Sequence, residues 1–439
     1  MHIRADIILN WSNYEEHLDE AAFFWGQWER AFAAPDEVLH DVAESEERLL
    51  ARLDALVLGG EYVAERLLKP ALASDEPERL SAAVFALLSG GWRWGPDAVL
   101  GILGEASPAM VNSIRRALEL LDPRALPAWP QSLLAEGTLP LRALALEVLG
   151  AHAITPSIPL KEFVLNGEPS VAAAALRAAA RLQVRLDWHV LQRALSSPEP
   201  AVRDAALVAG LLSGHRETWT VCRLLVSARG PDLGLPLLLL SLGAGPGGAS
   251  LLRSLLDEPR CRPDVLWALG FSGYVSAAET CLEHLDTEAG HLAAEAFSAI
   301  TGLVLAGRFV AEAPDAFTED EELNEEPSGP GQHPAPGNGM PLPNVNAIHA
   351  WWTDARKQFD PAVRYLRGSP WTPASLLQGL WTEPMRRRHA LALEVTLRSQ
   401  GIFQLRTRTF ARHQLAAMEA IRAAPPALLS RPLAERPIS

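Results

Sequence analysis

The chain has 439 residues, 48% of them hydrophobic, and a formal net charge of −14. That length holds two or three ordinary domains or one long repeat array. The acidic balance argues against a general nucleic-acid binder, whose phosphate contacts need Lys and Arg. Four Tyr and few β-branched runs argue against an extensive sheet.

Ala, Leu, Glu and Arg, all strong helix formers, dominate the composition, so an all-α fold is expected. The opening MHIRADIILNWSNYEEH has no charged n-region followed by an apolar h-region, and no signal peptide is read. The longest apolar run, around Leu237 to Leu242, falls far short of the roughly 18 residues needed to span a bilayer. Cys222, Cys261 and Cys281 form no CxxC pair, which fits a reducing compartment. The expectation is a cytoplasmic protein that engages neither membrane nor nucleic acid.

In chain order, the first strong helix candidate is residues 14–33, with Asn13 as N-cap. Tyr14, Leu18, Ala21, Trp25, Trp28 and Phe32 recur at spacings of four and three and form one stripe. Such a stripe caps the first unit of an array. It also makes Trp25, Trp28 and Phe32 candidate partner-binding residues, because aromatics are enriched at interface hot spots.

A proline then recurs before Ala/Leu-rich runs, at Pro77, Pro108, Pro140, Pro169, Pro200, Pro231 and Pro263, at intervals of 31, 32, 29, 31, 31 and 32. Proline is tolerated at the first helical position, where its missing N–H has no partner to lose. Shorter helical runs such as LKEFVLN, WHVLQRALS and ASLLRSLLD lie between. A period near 30 holds two short antiparallel helices and their turns. No such pair buries its apolar face alone, so neighbours should stack into an α-solenoid from about residue 70 to 310. Residues 1–69 would cap it. In PAVRDAAL, Ala205 and Ala206 are expected to be buried between neighbouring units. Arg203 and Asp204 are expected nearer the turn, Arg203 facing an adjacent unit's acid.

PAVRDAAL, from Pro200 to Leu207, resembles the core signature of HEAT-like repeats of the short kind also seen in phycobilisome-lyase proteins. The segment EEHLDEAAFFWGQWERA, the run HLAAEAFSAITGL and the Trp351–Trp352 pair extend the likeness over nearly the full length. The chain is similar in these features to a proteobacterial HEAT-like family of uncertain function, often encoded near type VI secretion genes. The resemblance implies a HEAT-like solenoid and carries over no catalytic residue.

Residues 311–345 hold seven Pro, four Gly and eight acidic side chains with no basic one, a composition that predicts a disordered or extended linker. Residues 346–439 carry 14 basic and six acidic side chains and read as a smaller C-terminal helical module with a loose tail. Trp381 and the run Arg386, Arg387 and Arg388 are its candidate partner-binding residues. The arginines suit an acidic partner or the chain's own acidic insert.

Catalytic motifs are weak. Gly243-Ala-Gly245-Pro-Gly-Gly248 matches GxGxxG in letters, but the period puts it at a turn between helices, without the strand that a dinucleotide site needs. Cys281, His284, His291 and Glu295, with Glu288, belong to two separate helices and do not read as a zinc site. No GxSxG elbow, P-loop, HExxH or EF-hand loop appears. The expectation is therefore a non-catalytic protein-binding scaffold without cofactor or metal. In the family context it would be a type VI secretion accessory, adaptor or effector chaperone, whose partner is a secretion-system component or an effector. The competing class is a HEAT-like enzyme, DNA glycosylase-like or bilin-lyase-like. The first of these needs a basic cleft, whereas residues 1–310 carry 25 basic against 39 acidic side chains. The second has no support beyond the repeat type.

Overall fold

The computed structural model describes residues 9–243, 245–311, 339–430 and 433. Among these the chain is all-α apart from one two-residue hairpin and an isolated bridge between Val310 and Pro343. No helix of the described residues is long and apolar enough to cross a membrane. Most of the expected linker, residues 312–338, lies outside the described residues. The described chain forms two compact units. One comprises residues up to Ser213 together with Arg406–Ala416, and the other residues 214–405 and those from Ala417 onward. The division falls inside the stretch 70–310 that the sequence presents as one array.

In the first unit, helix Trp11–Ala31 packs on helices Leu39–Leu58 and Pro77–Ser89. It begins three residues before the expected start, and its N-cap is Asn10 rather than Asn13. From there five helices of 13 residues each follow, Pro77–Ser89, Pro108–Leu120, Leu139–Ala151, Pro169–Arg181 and Pro200–Leu212. Each packs on the next, and each carries its proline in the first turn, where no intrahelical hydrogen bond is lost. Shorter helices Pro130–Glu136, Leu160–Asn166 and Trp188–Leu195 each pack on the long helix that follows. Small residues set the spacing. A Cβ on Gly150 would lie 3.1 Å from the Ala178 Cα, so helices 139–151 and 169–181 approach almost to backbone contact. Ala205 and Ala206 are buried as expected, but Arg203 is buried too, with its Nε 3.8 Å from Asp204 on its own helix.

In the second unit, helices Gly234–Gly243, Arg262–Ser272 and Gly290–Thr301 pack in order. Here the proline rule slips. Pro231 precedes its helix by three residues, because Asp232 takes a left-handed φ of 55° that no helix accommodates. Helices Pro373–Thr382 and Met385–Arg398 pack on each other.

The hairpin Tyr365–Leu366 with Ser369–Pro370 turns through Arg367 and Gly368, both at positive φ, as a two-residue turn between right-twisted strands requires. Its amides serve two helix ends. The Tyr365 N–H donates to the Gly273 carbonyl at 2.7 Å, and the Arg367 and Gly368 N–H groups donate to the Ala299 and Ile300 carbonyls at 2.8 and 2.9 Å. Helix C-termini leave carbonyls without intrahelical donors, and the hairpin supplies them. Glycine is required where the chains meet. Gly273 and Gly302 have φ of 74° and 79°, and a Cβ on either would lie within 2.6 Å of a hairpin carbonyl oxygen.

Candidate functional site

The aromatic stripe of the first helix turns inward. Trp25, Trp28 and Phe32 are fully buried. Trp25 meets Phe85 edge-on at 6.1 Å between centroids, and Trp28 lies 5.3 Å from Phe410 and 4.7 Å from Phe32. The docking reading of these three residues is corrected on that ground: their area is used up against helix 77–89 and residue 410.

The arginine run of helix Met385–Arg398 is corrected likewise. Arg387 and Arg388 are among the largest fully buried side chains of the described chain, and Arg386 is nearly covered. The Arg387 guanidinium lies 3.2 Å from Glu383, donates to the Gly270 carbonyl at 3.1 Å and stacks on Phe271 at 4.1 Å. Arg386 reaches Glu295 at 3.3 Å and covers the Trp267 ring at 4.5 Å. Arg388 donates to the Leu380 carbonyl at 2.5 Å and contacts the Met418 sulfur at 3.2 Å. Burial lowers its pKa to about 10. These arginines tie the second unit together and offer no basic surface. Trp381 alone of the sequence candidates keeps a large exposed area, 42%.

Gly243 closes one helix and Gly245 opens the next, so the GxGxxG letters fall at a helix junction; residue 244 lies outside the described residues. Cys281 is buried, and burial pushes its thiol up to about 12. Glu295 faces Arg386 and Arg387, and burial holds its carboxyl above the usual range. Among the described residues no three His, Cys, Asp or Glu side chains converge on a possible metal position.

Two open cavities occur in the second unit. One of about 570 Å³ is lined by Arg308, Trp351, Asp354 and Phe359, and one of about 730 Å³ by Arg308, Val310, Pro343 and Asn344.

A dense charge constellation lies in the first unit, at residues to which the sequence assigns no role. Helix Pro108–Leu120 supplies Arg115, Arg116 and Glu119, helix Leu139–Ala151 supplies Glu147, and helix Pro169–Arg181 supplies Arg177 and Arg181. Arg406 and Arg408 join them from the C-terminal segment 406–416. Glu29 is held by Arg116 and, at 2.8 Å, by Arg408. Glu119 is held by Arg115 at 2.6 Å and lies 3.8 Å from Arg116. Glu147 accepts from Arg177 at 2.5 Å and from Arg181 at 2.7 Å. Arg406 donates to the carbonyls of Ala151 at 2.6 Å and Glu119 at 3.2 Å, closing two helix ends.

Charge balance within this group is uneven. Burial raises the Glu29 and Glu119 carboxyls, yet the surrounding arginines outweigh it and hold both below the usual range. Arg406 goes the other way: burial first, and Arg181 beside it, lower its pKa to about 10. At the segment's far end the Ala411 N–H donates to both oxygens of buried Glu46, at 2.9 and 2.8 Å, and the Trp28 indole donates to it at 3.1 Å. Burial raises Glu46 to about 7. A local hint in sequence is the alternation Arg406-Thr-Arg408-Thr, but nothing local says that it meets helices nearly 300 residues earlier.

No family model matches the chain, and no curated protein matches it. It is similar to the crystal structure of an engineered protein at 14% identity, over 92% of this chain and 95% of that one, with a TM-score of 0.26. A likeness that weak carries no argument about fold or function.

Proposed function

We propose that the chain is a non-catalytic protein-binding scaffold built as a HEAT-like α-solenoid of short helix pairs. The observation that carries this reading is the sequence of 13-residue helices packed one on the next in the first unit, with shorter helices between them. Stacked units of this kind create an extended continuous surface, which suits an extended partner better than a small substrate. The resemblance of PAVRDAAL and the flanking segments to the type VI-associated family points to an accessory, adaptor or effector-chaperone role in the cytoplasm. The test is to express the tagged chain in cells that natively carry it and follow it through affinity capture and size exclusion. A protein that stays bound at fixed stoichiometry through both steps supports the reading. A chain that elutes alone from every preparation overturns it.

A further inference from the structure

We propose that the arginine cluster of the first unit is the docking surface for an acidic segment, about six residues long, of a partner protein. The proposal rests on the scaffold reading and names what the scaffold recognises.

Six guanidinium groups, Arg115, Arg116, Arg177, Arg181, Arg406 and Arg408, surround three carboxylates, Glu29, Glu119 and Glu147. The nearby charges of Asp122 and Arg412 offset each other, and burial holds His152 and His413 below their usual range. The cluster is thus an island of excess positive charge. It stands on an acidic background, since residues 1–213 and 406–416 carry 21 basic and 29 acidic side chains.

The arginines are not saturated by their glutamates. An arginine has five N–H donors on three nitrogens. Arg115, Arg177 and Arg408 each engage a carboxylate through one nitrogen. Arg177 and Arg408 remain 42% and 45% exposed. Their remaining donors are open to a ligand.

Carboxylate is the chemistry that this geometry already accepts. Each of the three glutamates is approached by two guanidinium groups, and a planar fork matches a planar carboxylate. The surrounding acids disfavour a long nucleic acid, which would carry its charge past the edge of the island. Size follows from the helices. Three successive packed helices at ~10 Å between axes span about 20 Å, and an extended peptide rising ~3.3 Å per residue covers that in about six residues.

The experiment uses the full chain and a fluorescein-labelled hexaglutamate flanked by Gly-Ser, read by fluorescence anisotropy at low and at physiological salt. Saturable binding that weakens with salt is expected, and the double variant Arg177→Gln/Arg408→Gln should lose about tenfold in affinity or more. The exposed control Arg253→Gln, in the second unit, should bind as the parent does. Matching melting curves would show that the double variant folds. No binding by the parent, or equal binding by the folded double variant, overturns the proposal. Tighter binding of a labelled single-stranded oligonucleotide of equal length overturns it in favour of nucleic acid. The scaffold reading falls separately, only if no stoichiometric partner is recovered. A partner retained by the double variant would leave that reading standing and sink this one.

Discussion

Glu46 makes the docking of residues 406–416 sensitive to pH in a direction opposite to an ordinary surface carboxylate. Its carboxyl is buried and accepts from the Trp28 indole and the Ala411 N–H, with Arg412 favouring the charge and Glu47 opposing it. Burial wins, and the folded pKa is raised from 4.5 to about 7. Below pH 4.5 both folded and unfolded chains hold the proton, and no cost arises. Between 4.5 and 7 the unfolded chain releases it freely while the folded chain keeps it, so stability falls as pH rises. The cost grows by 1.36 kcal/mol per pH unit and levels off above pH 7 near 3 kcal/mol in order of magnitude. Glu46→Gln removes the titration and keeps one acceptor oxygen for the two donors. Urea unfolding of both proteins from pH 4.5 to 8, followed by tryptophan fluorescence, should show their stability difference shifting in favour of the variant by about 3 kcal/mol across that window. Parallel profiles, with a constant difference at every pH, would refute the reasoning.

Three further outcomes follow from packing. Ala206 is fully buried in helix 200–212, so Ala206→Leu should overpack the contact with helix 169–181 and cost about 1–3 kcal/mol in urea unfolding. Gly270 admits no side chain, since a Cβ would lie 2.9 Å from the Ala296 Cα and 3.2 Å from an Arg387 nitrogen; Gly270→Ala should lower the melting temperature of the second unit measurably by calorimetry. Arg387→Ala leaves Glu383 buried with only Arg367 at 2.9 Å, and should cost about 3 kcal/mol or more, whereas Arg387→Met, which fills the space, should cost less when paired with Glu383→Gln than when made alone.

Helix placement was largely legible because its causes are local. Proline in the first turn and an Ala/Leu face are properties of a dozen consecutive residues, and six of the seven expected helices begin at their proline or one residue before it. The exception is local as well. Pro231 is followed by Asp232 in the left-handed region, and the helix starts only at Gly234, with Pro236 still inside the first turn. The aromatic stripe was legible as a stripe but not as a destination. Trp25, Trp28 and Phe32 would look the same in sequence facing a partner or facing Phe85 and Phe410, because both burials reward the same large side chains.

The arginines show where reading charge from sequence fails, and why. Arg386, Arg387 and Arg388 are adjacent on a helix, and adjacent residues are separated by about 100° around its axis. Three in a row therefore span about 200°, which a helix with a narrow apolar stripe can leave in solvent, so the run alone does not say which way it faces. Here Arg387 and Arg388 turn inward, held by carbonyls, rings or a buried glutamate. The groups that hold Arg387, the Gly270 carbonyl and the Phe271 ring, lie far earlier in the chain. Charges spaced about 31 residues apart carry more information. Arg116, Glu147 and Arg177 stand at intervals of 31 and 30, which is the helix period itself, so they recur at the same place on successive packed helices and converge without any local signature. The arginine island is the product of that period together with a segment from the far end of the chain. The way to find such a site in sequence is to align charges by the repeat rather than to count them along the chain.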